Sequence, residues 1–215
     1  MSLEGAIKRI KSGSFSLDGN MTEKQLKFLS EYMHDDFTSW EVSLGRGGSF
    51  AVEYPPEGVS SASNWKDSLE VILLPELTSL HPKILRRKIV TRFVPRLIDR
   101  ESGISVSGTG TIPKEKGKVK EHWIRLPIIG PRGDLVSEQE TLFTLMHEIA
   151  EIDFWQKSAD IPHDWISLIR ESARGDQLLR ENRITEYNHL TDESIANLRA
   201  ERAMRRKWHD YSMDG

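Results

Sequence analysis

His147, Glu148 and Glu151 fall within Ser137-Glu138-Gln139-Glu140-Thr141-Leu142-Phe143-Thr144-Leu145-Met146-His147-Glu148-Ile149-Ala150-Glu151. His147 and Glu151 are four residues apart. On a helix they share one side, where an imidazole nitrogen and a carboxylate oxygen one turn apart can converge on a single ion. Glu148 projects beside them. The chemistry such a trio supports is binding of a divalent metal, zinc first, with a carboxylate at hand to take a proton from water. A solvated helix face carrying ordinary charges is the other reading of the same residues.

The flanking pattern predicts the element that must position them. Ser137 and Glu140 form a capping box, and Leu142, Leu145, Met146, Ile149 and Ile152 fall on one face, predicting a helix over 138–156. Upstream, Trp40, Val42 and Leu44 alternate before Gly45-Arg46-Gly47-Gly48, and Phe50, Val52 and Tyr54 alternate after it, as in a hairpin. A capping pattern at Thr22 predicts a helix over 22–34, the apolar run before Pro75 a helix over 65–74, and Pro82 a helix over 83–94. Extended stretches at 104–112 and 119–128 read as a second hairpin. Beyond 156 the spacing predicts helices over 164–174, 177–186 and 192–210, capped by His163, Asp176 and Thr191. The expected fold is α+β: a small, mostly antiparallel sheet built from hairpins in the first 130 residues, packed with the capped helix and a helical C-terminal part. Residues 1–20 read as a loose lead-in, 21–156 as the core, and 157–215 as a helical subdomain packed on it.

Strand, turn, capped apolar helix and His147-Glu148-Ile149-Ala150-Glu151 together resemble the core of a zincin metallopeptidase, whose H-E-x-x-H helix supplies two ligands and a general base. The resemblance covers roughly residues 119–155. It departs from the family where Glu151 stands in place of the second His, giving a harder, more anionic shell that zinc accepts but other divalent metals also suit. What the resemblance implies is a peptide or protein substrate, Glu148 as the base, and an edge strand around Lys120–Pro127 that binds extended substrate through His122, Trp123 and Arg125. For the third ligand two places offer themselves. His163 lies twelve residues past Glu151, further than the short metzincin spacing, and otherwise simply begins the next helix. Asp192-Glu193-Ser194-Ile195-Ala196-Asn197 resembles the third-ligand helix of repressor-cleaving zinc peptidases of the ImmA/IrrE type, with Glu193 matching one of their Glu positions and Ile195 standing where the other would be. A solvated acidic first turn is the alternative for Glu193.

Composition narrows the remaining classes. Thirty Lys+Arg against thirty-three Asp+Glu give a net charge of −3, which excludes a chain-wide basic coat for nucleic acid. A local one remains open, because Arg86, Arg87, Lys88 and Arg92 lie in a basic stripe over 83–100. Without cysteine there is no disulfide framework, thiolate metal site or cysteine nucleophile. No apolar run reaches the length of a membrane span, so the expectation is a cytoplasmic protein without membrane contact. No G-x-S-x-G elbow, P-loop or G-x-G-x-x-G occurs. Two functions therefore compete: a zincin-like, metal-dependent peptidase, and a non-catalytic interaction protein on the same scaffold, such as a phage or mobile element encodes, binding a protein or nucleic acid.

Overall fold

The computed structural model describes residues 38–54, 65–94, 109–110, 121–127, 130, 136–181 and 183–212. The helix expected over 22–34 lies outside them. Among the described residues five strands form one mixed sheet: β1 (Thr38–Ser43), β2 (Ser49–Tyr54), β3 (Lys88–Val94), β4 (Thr109–Gly110) and β5 (Glu121–Pro127), in the order β1-β2-β3-β5-β4. The first hairpin forms as its alternation predicts, with Trp40 opposite Val52 and Val42 opposite Phe50. The second is present where β4 pairs antiparallel with β5, Thr109 opposite Arg125. The sheet is nevertheless not mostly antiparallel, because β2–β3 and β3–β5 both run parallel. The reason is β3 itself. Where a helix over 83–94 was expected, Ile84–Arg86 make one 3₁₀ turn and the chain then extends, with Ile89, Thr91 and Phe93 buried and Lys88 and Arg92 exposed. Val90, on the other face, is buried as well, and the β-branched Ile89, Val90, Thr91 and Val94 favour the extended chain.

Gly48 joins this turn to β2. Its N–H donates to Leu85 O at 3.1 Å, and a Cβ there would lie 2.5 Å from both Leu85 O and Arg87 O. Only a residue without a side chain allows backbone to approach backbone so closely.

Helices cover the inner face of the sheet. α1 is a composite of Trp65–Ser68, a wide π turn Leu69–Leu73, and Leu74–Leu77. The helix opens just ahead of Pro75, which has no N–H to give and whose ring crowds the carbonyl one turn back. α2 (Glu138–Ser158) begins at the predicted capping box: Glu140 N–H donates to Ser137 Oγ at 3.2 Å, and Ser137 N–H donates to Glu140 Oε2 at 2.8 Å. The two helices expected over 164–174 and 177–186 are instead one, α3 (Pro162–Arg180), followed by the single turn α4 (Ile184–Tyr187). Asp176 lies inside α3 and not at a helix start, and His163 is the second helical residue, after an Ile161 N-cap. Gly175 does not break the helix because its bare Cα has a packing use, since a Cβ there would meet Leu190 Cδ1 at 3.1 Å and the Tyr187 ring at 3.4 Å. α5 (Thr191–Met204) starts after Leu190 rather than Thr191 and stops short of 210.

One core holds these parts together. Phe50, Val52, Ile89, Ile124 and Leu126 of the sheet pack with Leu69 and Ile72 of α1, Leu142, Leu145 and Ile149 of α2, and Ala200, Ala203 and Met204 of α5. The C-terminal helix is thus part of the core. Inside it, between Val52 and Ile124 in register, the Thr91 hydroxyl is fully buried and without a hydrogen-bond partner among the described residues. Leaving a buried hydroxyl unpaired costs about 1–3 kcal/mol. Thr91→Val, which keeps the shape and removes the hydroxyl, is therefore expected to raise stability by about 1 kcal/mol or more. A thermal melt showing no gain would mean that the hydroxyl is satisfied in solution. No helix among the described residues is long and apolar enough to cross a membrane.

Candidate metal centre

α2 presents His147, Glu148 and Glu151 towards α5. Ala196, Ala200 and Ala203, spaced four and three apart and fully buried, let the backbone of α5 lie close along α2. That approach brings Glu193, in the first turn of α5, to His147. His147 Nε2 lies 3.3 Å from Glu193 Oε2 and 3.8 Å from Glu151 Oε1, and one donor atom from each of the three residues falls within 4.8 Å of the others. One turn further along α5, Asn197 Oδ1 lies 2.9 Å from His147 Nδ1. An amide oxygen only accepts, so Nδ1 carries the proton that it donates. Nε2 is the nitrogen that faces the two carboxylates, donating to Glu193 while the ring carries its second proton.

Salt links and hydrogen bonds fix α5 in this rotation. Arg199 donates from Nε to Glu76 Oε2 of α1 at 2.8 Å and from Nη1 to Asp153 Oδ2 of α2 at 2.6 Å. Trp155 Nε1 of α2 donates to Asp192 Oδ2 at 3.2 Å. Turning α5 by one residue would break all of these and swing Glu193 away.

The electrostatics follow from burying three acids and one base together. Burial, and then the charge of Glu193, push Glu148 up to about 8. Burial raises Glu151 well above the usual carboxylate range, and Glu148 and Glu193 add to the rise. Burial alone would lower His147, but its bond to Glu193 and the charges of Glu151 and Glu193 outweigh it and carry the imidazole up to about 9. Tyr187 of α4 belongs to the same cluster. Burial first, then the charge of Glu193 and a hydrogen bond to it, hold its phenol far above the ordinary range, and the charges of Glu151 and Glu148 reach it too. Without a metal, the cluster avoids an excess of negative charge by holding protons on His147, Glu148 and Glu151. A divalent cation could take the place of those protons, and the donor set of one imidazole nitrogen and two carboxylate oxygens fits zinc or a harder first-row ion.

Of the residues singled out in the sequence, His147, Glu151 and Glu193 come together, with Glu148 buried beside them. His163 begins α3 beyond the C-terminal end of α2, which is about 16 Å along the helix axis from His147. Its side chain lies outside the described residues. The strand residues are elsewhere. β5 is not the edge strand, since β3 flanks it along its length and β4 pairs with it at Ile124 and Arg125. His122 is fully buried, its Nε2 lying 3.3 Å from Arg87 Nη1, which also donates to Gln156 Oε1 at 3.0 Å. Trp123 and Arg125 alternate with buried residues and occupy the outer face of the sheet, away from α2. Asn197 and Tyr187 are the site residues that the sequence reading does not single out. The signal for Asn197 is its i+4 relation to Glu193 beside the Ala stripe; Tyr187 has none beyond its place before α5.

Comparison of the chain with protein-family models, with curated proteins and with solved structures returns no match.

Proposed function

We propose that this chain is a divalent-metal hydrolase of zincin-like type acting on peptide bonds, with His147, Glu151 and Glu193 as ligands and Glu148 as general base. One observation carries the reading: with Nδ1 held by Asn197 at 2.9 Å, His147 Nε2 lies 3.3 Å from Glu193 Oε2 and 3.8 Å from Glu151 Oε1, carboxylates delivered by two different helices. Orienting partners of this kind are the usual companions of metal-binding imidazoles. A divalent ion held there supplies Lewis acidity towards a water and the substrate carbonyl. Glu148 accepts a proton as the water oxygen attacks the carbonyl carbon. It then returns that proton to the leaving nitrogen as the C–N bond breaks. The adjoining positive charge of an ion would lower its affinity for a proton into the range where it can do both. Tyr187 holds Glu193 through its phenol, and Asn197 holds the imidazole.

The test is metal content. Protein purified without chelator or affinity metal, then incubated with zinc or manganese and desalted, is expected to retain close to one ion per chain. His147→Ala and Glu193→Ala are each expected to lose it. A wild-type chain that retains none after loading would overturn the reading.

A further inference from the structure

The basic stripe of the sequence does not stay together in the fold, since Arg87 turns inward to His122 and Gln156 while Lys88 has Glu121 opposite it in register. A different surface, on α3, is left unbalanced. Ile166 and Ile169 are 55% and 47% exposed, and Ala173 beyond them is exposed too. Spaced three and four apart, they line one stripe of the helix about 10 Å long. The buried side of α3 is the opposite one. There Glu171 accepts from Thr191 N–H at 2.5 Å, Gly175 lies against Leu190 and Tyr187, and Leu178 is buried. The core thus takes one face of α3 and leaves a second apolar face in solvent. Arg170 and Arg174, one turn apart and both exposed, follow one flank of that stripe. Neither forms an ion pair among the described residues, and Glu186, which feels the charge of Arg174, is already held through both its oxygens by Arg183.

We propose that this face of α3 docks an amphipathic helix of a partner protein, apolar along its seam and acidic along the flank that meets Arg170 and Arg174. The three-and-four spacing is the one by which a helix sets a seam of side chains against another helix. A narrow convex ridge suits such a partner, which follows it along its whole length at an axial separation of about 8–10 Å. An extended peptide would need an unpaired sheet edge, and a helix offers none. The two arginines ask for carboxylates, because exposed charges beside an apolar contact select the partner and its direction more than they add affinity. A second copy of the chain packed antiparallel would set this basic flank against itself. Tyr187 of the metal cluster packs on the inner side of α3, so the outer stripe is separate from that site and independent of the metal reading.

The test is fluorescence anisotropy with the full chain and a labelled helical peptide of about three heptads, Leu at the seam positions and Glu on the flanks, beside the same peptide with Lys on the flanks. The acidic peptide is expected to bind, and the basic one to bind about tenfold or more weakly. Ile169→Asp is expected to weaken the acidic peptide about tenfold or more, since it removes a buried side chain from the contact and adds a like charge. Arg170→Glu with Arg174→Glu is expected to reverse the preference between the two peptides. Leu198→Asp, at an exposed apolar residue of α5 outside the stripe, is expected to change nothing. Every substituted side chain is exposed, so melting temperatures should match that of the wild type. Absence of binding by the wild type at about 100 μM overturns the proposal, and so does equal binding of the two peptides. A wild-type dimer in sedimentation equilibrium that Ile169→Asp dissolves would also overturn it, by assigning the stripe to a second copy of the chain.

Discussion

Glu148→Gln is expected to lower peptide hydrolysis by about 10²–10⁴-fold, the range spanned by removal of a general base, while the chain keeps its metal. The substitution is unusually clean here. Because Glu148 is buried and held up to about 8, it is largely protonated at neutral pH in the metal-free protein, and Gln resembles that neutral form in shape and hydrogen bonding. The fold should therefore not suffer, and thermal stability without metal should equal or exceed that of the wild type. Measured together, metal content, melting temperature and cleavage of an unfolded protein substrate separate the roles. Loss of cleavage alone places Glu148 in proton transfer. Loss of the ion along with cleavage would make it a ligand, and unchanged cleavage would remove it from the mechanism.

The helix that carries this chemistry was legible because its signals are local. Ser137 and Glu140 cap it, the apolar stripe continues through Ile152, and His147 and Glu151 share a side whatever the rest of the chain does. The third donor was legible only as a resemblance, because nothing within Asp192–Asn197 states that α5 will lie along α2. That follows from the small residues Ala196, Ala200 and Ala203 and from the Arg199 links to Glu76 and Asp153, more than 40 positions away in sequence. β3 was misread for a physical reason. Its inward positions are Ile89, Thr91 and Phe93, and the polar Thr91 hides the alternation, while Ile84, Leu85, Ile89 and Phe93 happen to mimic helical spacing. Once β3 is a strand, β2–β3–β5 can run parallel and β5 is interior, which removes His122, Trp123 and Arg125 from the substrate edge. The expected break between 174 and 177 is absent, and Gly175 stands inside α3, where the close approach of Leu190 and Tyr187 leaves no room for a Cβ.

Without metal, the protein is expected to lose stability as pH rises from about 6 to 9, and with zinc present that loss is expected to be offset. His147 is held up to about 9 in the folded chain against about 6.5 when unfolded, so its contribution is complete below 6.5 and disappears as the pH passes through 9. Glu148 acts in the same direction. Raised to about 8 from 4.5, it favours the folded state below 4.5 and withdraws that support as the pH rises through 8. Near pH 7.5 the folded chain therefore holds one to two more protons at this site than the unfolded chain, a slope of more than about 1 kcal/mol per pH unit. Metal binding displaces those same protons, so its affinity must rise over the same window. At a ligand concentration of about 100 Kd the ion adds about 2.7 kcal/mol to stability, and more as Kd falls with pH. Melting temperatures recorded in chelator and in zinc between pH 6 and 8.5 should accordingly diverge, the gap widening with pH. In His147→Ala the chelator curve should flatten and the gap close. Parallel wild-type curves would mean that the protons and the ion do not compete for one site, and the assignment of His147, Glu151 and Glu193 as a shared metal centre would fail with them.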